Sequence, residues 1–571
     1  MKLVDKLKNT DREQRAAFLF FAVSLIFGLL MVKGYGPYWD YEDEMLILWQ
    51  NIHQYAESIF GADSFVASKF AKYTVISLSD EKDHGIALYY VIAPLLFKAF
   101  GYSKYVIWKA YVFLVFFAGS LGIYASARIL YGSRRLSLFL SALYLYAPLP
   151  FAYGHFDNKD IGFLTLSVLT LTGVLKWTRT GKKRWGIFFG AAAAFAANCK
   201  ILGLLFFGMG LIYVWICGFR EIDDRNGAEC RFKSPNGKEQ NAPAPDPNEN
   251  GSKSVRRART KLAFCQLLLA GFSFCIVFFL ITPAAWPDPA GYLVFVIRSV
   301  FKFVRWGGSV KFGGVIYPEG TTPWYYLGGM IVLTTPVLIL ILILLGHAGI
   351  ITDRKRRLDL LYLALLWVIP FCYGSFGDDI IYDEWRHFFF LWGYLILIAG
   401  EGALLLKGWG TALGSTKSPH GRLIRSWHLI AAAVLVCYLL LMIVTGHPYE
   451  MTYTNLLAGS DASENYQVDY WQVSFDAVIR RLITCADRNQ ELELTIGGAD
   501  PYYNNNAVDY TYRSMDPQVQ QYVYPGGTQA NYLLEAKTYE GIAQNVDLTQ
   551  YHTLFTLEAF DKEIVTVWEK N

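Results

Sequence analysis

Eleven apolar runs follow one another between residues 16 and 446, and most are too long and too continuous to be strands of a soluble core. They lie near 16–33, 107–130, 136–153, 160–176, 185–199, 201–217, 262–282, 324–346, 358–375, 388–406 and 427–446. In hydrocarbon a backbone must satisfy its own hydrogen bonds, so runs of this length and number fold as helices that cross a bilayer. Composition agrees, since 54% hydrophobic and 18% charged residues, with a mean hydropathy of +0.26, are too apolar for a water-soluble chain of 571 residues. The expected fold class is an α-helical polytopic membrane protein with about eleven transmembrane helices.

The formal charge of +4 is small, and the basic residues fall between apolar runs rather than on one face, which argues against nucleic acid as a partner. Their positions set an orientation. Arg134-Arg135, Lys182-Lys183-Arg184, the stretch around Arg256-Arg257, Arg354 to Arg357, and Arg422 with Arg425 all fall on one side. By the positive-inside rule that side is cytoplasmic, so the N-terminus is inside and the C-terminus outside a cell (plasma or inner) membrane. The first run lacks a small-residue cleavage site and reads as an uncleaved anchor. Gly85 to Gly101, apolar but broken by Pro94 and Lys98, reads as an amphipathic juxtamembrane helix of the first outer loop. Only Cys485 of the 8 cysteines falls outside the membrane on the outer side, so no disulfide framework or Cys/His metal spacing is expected.

Two segments stand apart. Residues 219–261 are polar and rich in Pro, Asn and basic residues, and read as a flexible cytoplasmic loop. After 446 the apolar runs stop, and alternating stretches such as Leu492 to Ile496 and Thr553 to Leu557 appear among helical patterns. The expected organisation is a membrane domain over 1–446, with a first outer loop at 34–106, followed by a small extracytoplasmic α+β domain over 447–571.

Unusual polar residues gather on the outer side. The first loop opens with Tyr38-Trp39-Asp40-Tyr41-Glu42-Asp43-Glu44, and acids beside hydrocarbon are either displaced into water or kept for chemistry. The loop after the third run carries His155, Asp157, Asn158, Lys159 and Asp160. For Asp157 alone, capping of the next helix is the better account. Lys200, between two apolar runs, either snorkels to the interface or meets an anionic headgroup. Arg298, Lys302 and Arg305 share one helical face by their spacing and suit lipid phosphates, those of the bilayer or of a substrate. Trp324 to Tyr326 is by default an aromatic belt. The last outer loop holds Tyr382, Asp383, Glu384, Arg386 and His387, where an Arg and a His beside carboxylates fit phosphate binding and proton handling, or a structural pair between Asp383 and Arg386.

In order, Tyr38-Trp39-Asp40 with Glu44 and Asn51, Gly154 to Ile161, Trp286 to Pro289, Pro323 to Tyr326, Tyr382 to Phe388 and Asp469-Tyr470-Trp471 resemble the GT-C glycosyltransferases. The similarity is to the phospholipid-carrier-dependent family 39 group, which includes relatives of protein O-mannosyltransferases and the lipid A aminoarabinose transferase. It implies a GT-C fold and an enzyme that moves a sugar from a polyprenyl-phosphate donor to an acceptor on the outer face. It places the general base on Asp40, with Asp43 the alternative because Tyr41 interrupts the usual Asp-Glu pair, and the second acidic position on Asp160, with Glu44 nearby. His155, Asn158, Lys159, Lys200, Arg298, Lys302, Arg305, Tyr325, Tyr382, Asp383, Arg386 and His387 are the expected contacts to donor phosphate or acceptor. Inversion by a single displacement is expected. A divalent metal on Asp40, Asp43, Glu44 and Asp160 is compatible with the residues but not required by them. A lipid-linked oligosaccharide ligase or polymerase, or a secondary transporter, is the alternative.

Overall fold

The computed structural model describes residues 12–71, 86–101, 103–224, 264, 267–301, 308–377, 381–382, 384–413, 419–489, 494–540 and 546–571. Lys302, Arg305, Asp383 and most of the 219–261 loop therefore lie outside the described residues.

Every apolar run contains helix. The chain forms α1 (Arg12–Met31), α2 (Tyr41–Phe60), α3 (Lys104–Tyr131), α4 (Arg134–Tyr146), α5 (Pro148–Tyr153), α6 (Asn158–Thr180), α7 (Lys183–Cys199) and α8 (Gly203–Asp224). It continues through α9 (Leu267–Ile281), α10 (Pro289–Phe301), α11 (Tyr326–Thr334), α12 (Val337–Thr352), α13 (Arg357–Phe376), α14 (Phe390–Leu413) and α15 (Pro419–Gly446). Among the described residues six helices are long and apolar enough to cross a membrane, or seven if the bent α11–α12 pair is one span. Shorter apolar helices accompany them over Ala87–Ala99, Gly203–Cys217, Leu267–Ile281 and Pro289–Arg298.

Several apolar stretches are interrupted by local features. Pro336 pushes Thr335 into the extended region (φ −96, ψ 131), and α11 meets α12 at 120°. Pro148 does the same to Ala147 and splits the third run into α4 and α5. Lys200 is extended (φ −143, ψ 130) and separates α7 from α8, where the sequence also divides two apolar runs. The expected helix at 85–101 is likewise two pieces, Ala87–Tyr90 and Ala93–Ala99, and Tyr89 and Tyr90 turn into the core.

Helix α6 is the centre of the bundle. In its apolar window 83% of residues are buried, against 17% for α1 and 22% for α15, so the latter two lie at the periphery. It packs on α3, α7, α8 and α14. Helices α12 and α14 cross closely because a Cβ on Gly346 would stand 2.1 Å from the Ile398 carbonyl oxygen, and one on Gly402 equally near that of Leu342.

After α15 the chain builds a five-stranded sheet in the order β4-β3-β5-β7-β6, from β3 (Leu494–Gly498), β4 (Val523–Pro525), β5 (Tyr532–Ala536), β6 (Tyr551–Ala559) and β7 (Lys562–Lys570). An earlier hairpin of β1 (Ser309–Phe312) and β2 (Val315–Pro318) precedes α11. Strand β3 is parallel to β4 and β5, whereas β7 is antiparallel to β5 and β6. Helices α16 (Phe475–Asn489) and α17 (Tyr503–Ser514) cover the sheet through Val478, Ile479, Leu482 and Val508. The alternating stretches read as strands are β3 and β6.

This C-terminal unit is seated on the bundle through two turns, beside the contact of α17 with Trp39 and Glu42 of the first loop. The β6–β7 turn, with Phe560 and Asp561 both left-handed (φ 51 and 58), sets the Phe560 ring against Gly446 and Tyr453, while Lys562 Nζ donates to the Thr452 carbonyl at 2.8 Å. The second seat is the turn at 466–474, where Trp471 and Val473 join the core of the bundle.

Candidate active site

Four stretches converge at the end of the bundle that carries the C-terminal unit. Asp40 is the N-cap of α2, where the helix dipole favours an ionised carboxylate, and its side chain, 40% exposed, makes no capping hydrogen bond. Its oxygen lies 3.9 Å from Arg386 Nη1. Arg386 opens a short 3-10 turn, Arg386–Phe388, that enters α14, and it follows Glu384, a buried left-handed residue (φ 55) whose carboxylate accepts from Tyr153 Oη at 2.8 Å. A non-glycine residue held in that region is strained, and the Tyr153 bond together with Trp385 Nε1 to Thr334 Oγ1 (2.9 Å) keeps the turn in place.

The Arg386 guanidinium is buried among three rings, 4.3 Å from that of Trp471, 5.0 Å from Tyr470 and 5.1 Å from Tyr382. Its Nε has no hydrogen-bond partner among the described residues. A guanidinium stays charged, so this is a desolvated cation with donor capacity to spare. Asp157 and Asp160 are within its electrostatic reach.

On the other wall, the break between α7 and α8 turns Lys200 towards the first turn of α6, where its ammonium pairs with buried Asp160 and donates to the His387 carbonyl at 3.1 Å. Asp157 caps α6 by accepting from the Asp160 N–H (3.1 Å) through Oδ1, as expected, while its Oδ2 is buried without a hydrogen-bond partner among the described residues. The half-buried His387 ring packs 4.1 Å from Tyr382. Burial, then the Lys200 charge, push its imidazole well below the ordinary value, so it is neutral at pH 7.

The acids of the first loop do not gather. One helical turn separates their directions. Glu42 pairs with Arg513 of α17 at 3.2 Å, and exposed Asp43 lies within electrostatic reach of Tyr510 on that helix. Glu44 points inward, accepting from Tyr90 Oη and Asn158 Nδ2, both at 2.8 Å. Among the described residues no group of three or more His, Cys, Asp or Glu side chains could hold a metal ion, so the four-carboxylate metal site considered from sequence does not form.

Other expected contacts change character. His155 is a packing residue, because both ring nitrogens face backbone carbonyls (Phe151 at 2.8 Å, Gly28 at 3.0 Å) and the ring stacks on Phe113. Asn158 is spent on Glu44. Lys159 ties helices through its carbonyl, which accepts from Cys199 Sγ at 3.2 Å, with its side chain half-buried. Tyr325 is half exposed against Phe312 and Trp324, whereas its neighbour Tyr326 turns inward and donates to the Tyr382 carbonyl at 3.5 Å. Arg298 is exposed on α10.

Residues not assigned to the site from sequence also line it: Trp471, Tyr470 and Glu384. The first two arrive on the turn at 466–474. That turn is held by Asp469 (φ 49), whose carboxylate accepts from the Val473 N–H at 3.0 Å and the Ser474 N–H at 3.1 Å. Burial nevertheless pushes the Asp469 carboxyl up to about 6. Because the folded value exceeds the unfolded one, folding takes up a proton as pH falls through 6 towards about 4, and the turn is more stable at pH 5 than at pH 7. Thermal unfolding between those two pH values should show this gain, and Asp469→Asn should flatten it. An identical profile in the variant would remove Asp469 as its source.

The same turn rests on Gly36, where a Cβ would stand 2.3 Å from the Val473 carbonyl oxygen. Gly36→Ala should therefore lift the turn, cost about 1–3 kcal/mol as other overpacking changes do, and loosen the Arg386 cage. Thermal unfolding unchanged from the parent would show that the first loop and the turn are not in register.

A family model described as "Predicted membrane protein (DUF2079)" matches residues 68–309. No curated protein sequence matches the chain. Among solved structures it is similar to ArnT from Cupriavidus metallidurans in the apo state, at 12% identity and a TM-score of 0.43 over 98% of each chain. It is also similar to ArnT from the same organism bound to undecaprenyl phosphate, at 12% identity and 0.44, over 96% of this chain and 97% of that one. With its series of apolar helices and this family match, the chain is a multi-pass membrane protein.

Proposed function

We propose that the chain is a membrane glycosyltransferase that moves a single sugar from a polyprenyl-phosphate donor to an acceptor hydroxyl on a protein, lipid or cell-envelope glycan, at the extracytoplasmic face. The observation that carries this reading is the meeting of Asp40 with a buried, incompletely paired Arg386 at a bundle end that also holds the Lys200–Asp160 pair. The positive-inside flanks support an outward-facing position for that end.

In the reaction, Asp40 removes the acceptor hydroxyl proton as the oxygen attacks the anomeric carbon from the face opposite the phosphate. The bond from that carbon to the phosphate oxygen breaks, and the electron pair leaves with the polyprenyl phosphate. Arg386 and Lys200 stabilise the departing charge in a site largely shielded from water. One displacement inverts the anomeric centre. Asp160 holds Lys200 in place, and neutral His387 accepts or donates a hydrogen bond without adding charge. Asp43, turned towards α17, is not the base in this reading.

Incubating the purified protein with a panel of polyprenyl-phosphate sugars tests it through sugar-dependent release of carrier. One sugar per product supports transfer of a monosaccharide, and a long block supports a ligase or polymerase. A sugar found covalently attached to Asp40 would overturn the single displacement, and no release with any donor would sink the assignment.

A further inference from the structure

Trp39, the residue before Asp40, is half-buried and meets a group of tyrosines on the C-terminal unit. Its ring lies 6.1 Å from that of Tyr502, 6.3 Å from Tyr503 and 5.6 Å from Tyr510. Tyr502 is 60% exposed, yet it is firmly held. Its ring stands edge-on to that of Tyr503 at 5.0 Å, and the Asp500 carboxylate accepts from the backbone N–H groups of Tyr502, Tyr503 and Asn504. Tyr503 stacks on Tyr539 at 4.3 Å, and Tyr539 Oη donates to the Tyr470 carbonyl at 3.2 Å. Since Tyr470 is one of the rings around Arg386, contacts between aromatic residues lead from the buried site to the solvent-exposed Tyr502. An exposed ring held this rigidly suits a ligand, because little freedom is lost when a partner stacks on it.

The polar groups beside the rings narrow what that ligand is. Asn506, Tyr510 and Arg513 follow Tyr502 at spacings of four, four and three, so rings and an amide share one side of α17. Arg513 pairs with Glu42 at 3.2 Å, while Asp43 and Asp509 both lie within electrostatic reach of Glu42 and leave this patch net negative among the described residues. A sugar presents weakly positive C–H groups to the negative face of an aromatic ring, and hydroxyls to amides and carboxylates. Peptides are instead gripped at strand edges or in apolar grooves, and a glycan carrying phosphate or carboxylate would meet like charge here.

We propose that Trp39, Tyr502 and Tyr510 form the acceptor platform, and that the acceptor is an uncharged glycan whose sugar stacks there while its hydroxyl reaches Asp40, the next residue in the chain. This rests on the transferase reading above and narrows its acceptor to one class.

The full-length protein in lipid nanodiscs is titrated, without donor, with neutral hexose oligosaccharides, with oligosaccharides bearing phosphate or carboxylate groups, and with Ser/Thr-rich peptides. The neutral series should bind in preference to the other two. Tyr502→Ala should weaken the neutral oligosaccharide about tenfold, the worth of one well-placed ring, whereas Tyr502→Phe, which keeps the ring, should stay within about threefold of the parent. Should the alanine variant fail to fold, Tyr502→Leu keeps apolar bulk, deletes the aromatic face and should show the same tenfold loss. Tighter binding of a peptide or an anionic oligosaccharide than of the neutral series overturns the acceptor class. Equal affinity of the parent and the ring-deleted variant for the neutral oligosaccharide, or no binding of it by the parent, overturns the platform while leaving the transferase reading intact. Tyr502-dependent binding in a protein that releases no carrier with any donor overturns the transferase reading, and the acceptor role with it.

Discussion

Replacing Asp40 with Asn is expected to lower sugar transfer by about two to four orders of magnitude while leaving polyprenyl-phosphate binding within about threefold of the parent, the signature of a lost general base. The size follows from what the substitution keeps. An amide fills the same volume at the start of α2 and leaves the Arg386 cage of Tyr382, Tyr470 and Trp471 intact, because the 3.9 Å separation from Asp40 contributes little to holding that cation. Only the capacity to take a proton is removed. Steady-state rates with a saturating donor, beside a direct carrier-binding measurement, separate the two effects. More than a tenth of parental turnover in the variant would move the base elsewhere, with Asp43 the first to test.

The second large effect is on folding. Lys200→Met removes the ion-pair partner of Asp160, whose side chain is only 4% exposed, and leaves the carboxylate at the head of a deeply buried helix with only the more distant Arg386 charge to offset it. Breaking a buried pair from one side costs about 3–5 kcal/mol, since the remaining charge keeps its desolvation penalty and loses the attraction that offset it. The expected result is a large drop in the thermal midpoint of the detergent-solubilised protein, together with loss of transfer. Combining Lys200→Met with Asp160→Asn should restore most of the stability, because the unpaired carboxylate is then gone, but not the activity, because the cation proposed to meet the leaving phosphate is still missing. A single variant as stable as the parent would show that the pair is solvated and dispensable.

The apolar runs made the helical bundle legible from composition and length alone, and the alternating stretches at Leu492 and Thr553 announced the C-terminal sheet. Helix breaks were less legible, since Pro148 and Pro336 cut helices that hydropathy reads as continuous. Asp40, Asp160, Lys200, Arg386 and His387 were all drawn from their neighbourhoods in the chain, and the structure brings them to one end. His155 shows the opposite case: a histidine beside acids looks chemical, and only packing reveals that both its nitrogens face main-chain carbonyls. Nor did the run Glu42-Asp43-Glu44 disclose that a helix would send its members in different directions. Trp471 was part of a recognisable motif, yet its role depends on contact with a residue 85 positions earlier, which no local pattern encodes.

Because Tyr470 and Trp471 lie beyond α15, the ring enclosure of Arg386 closes only when a segment from outside the helical bundle has settled against it.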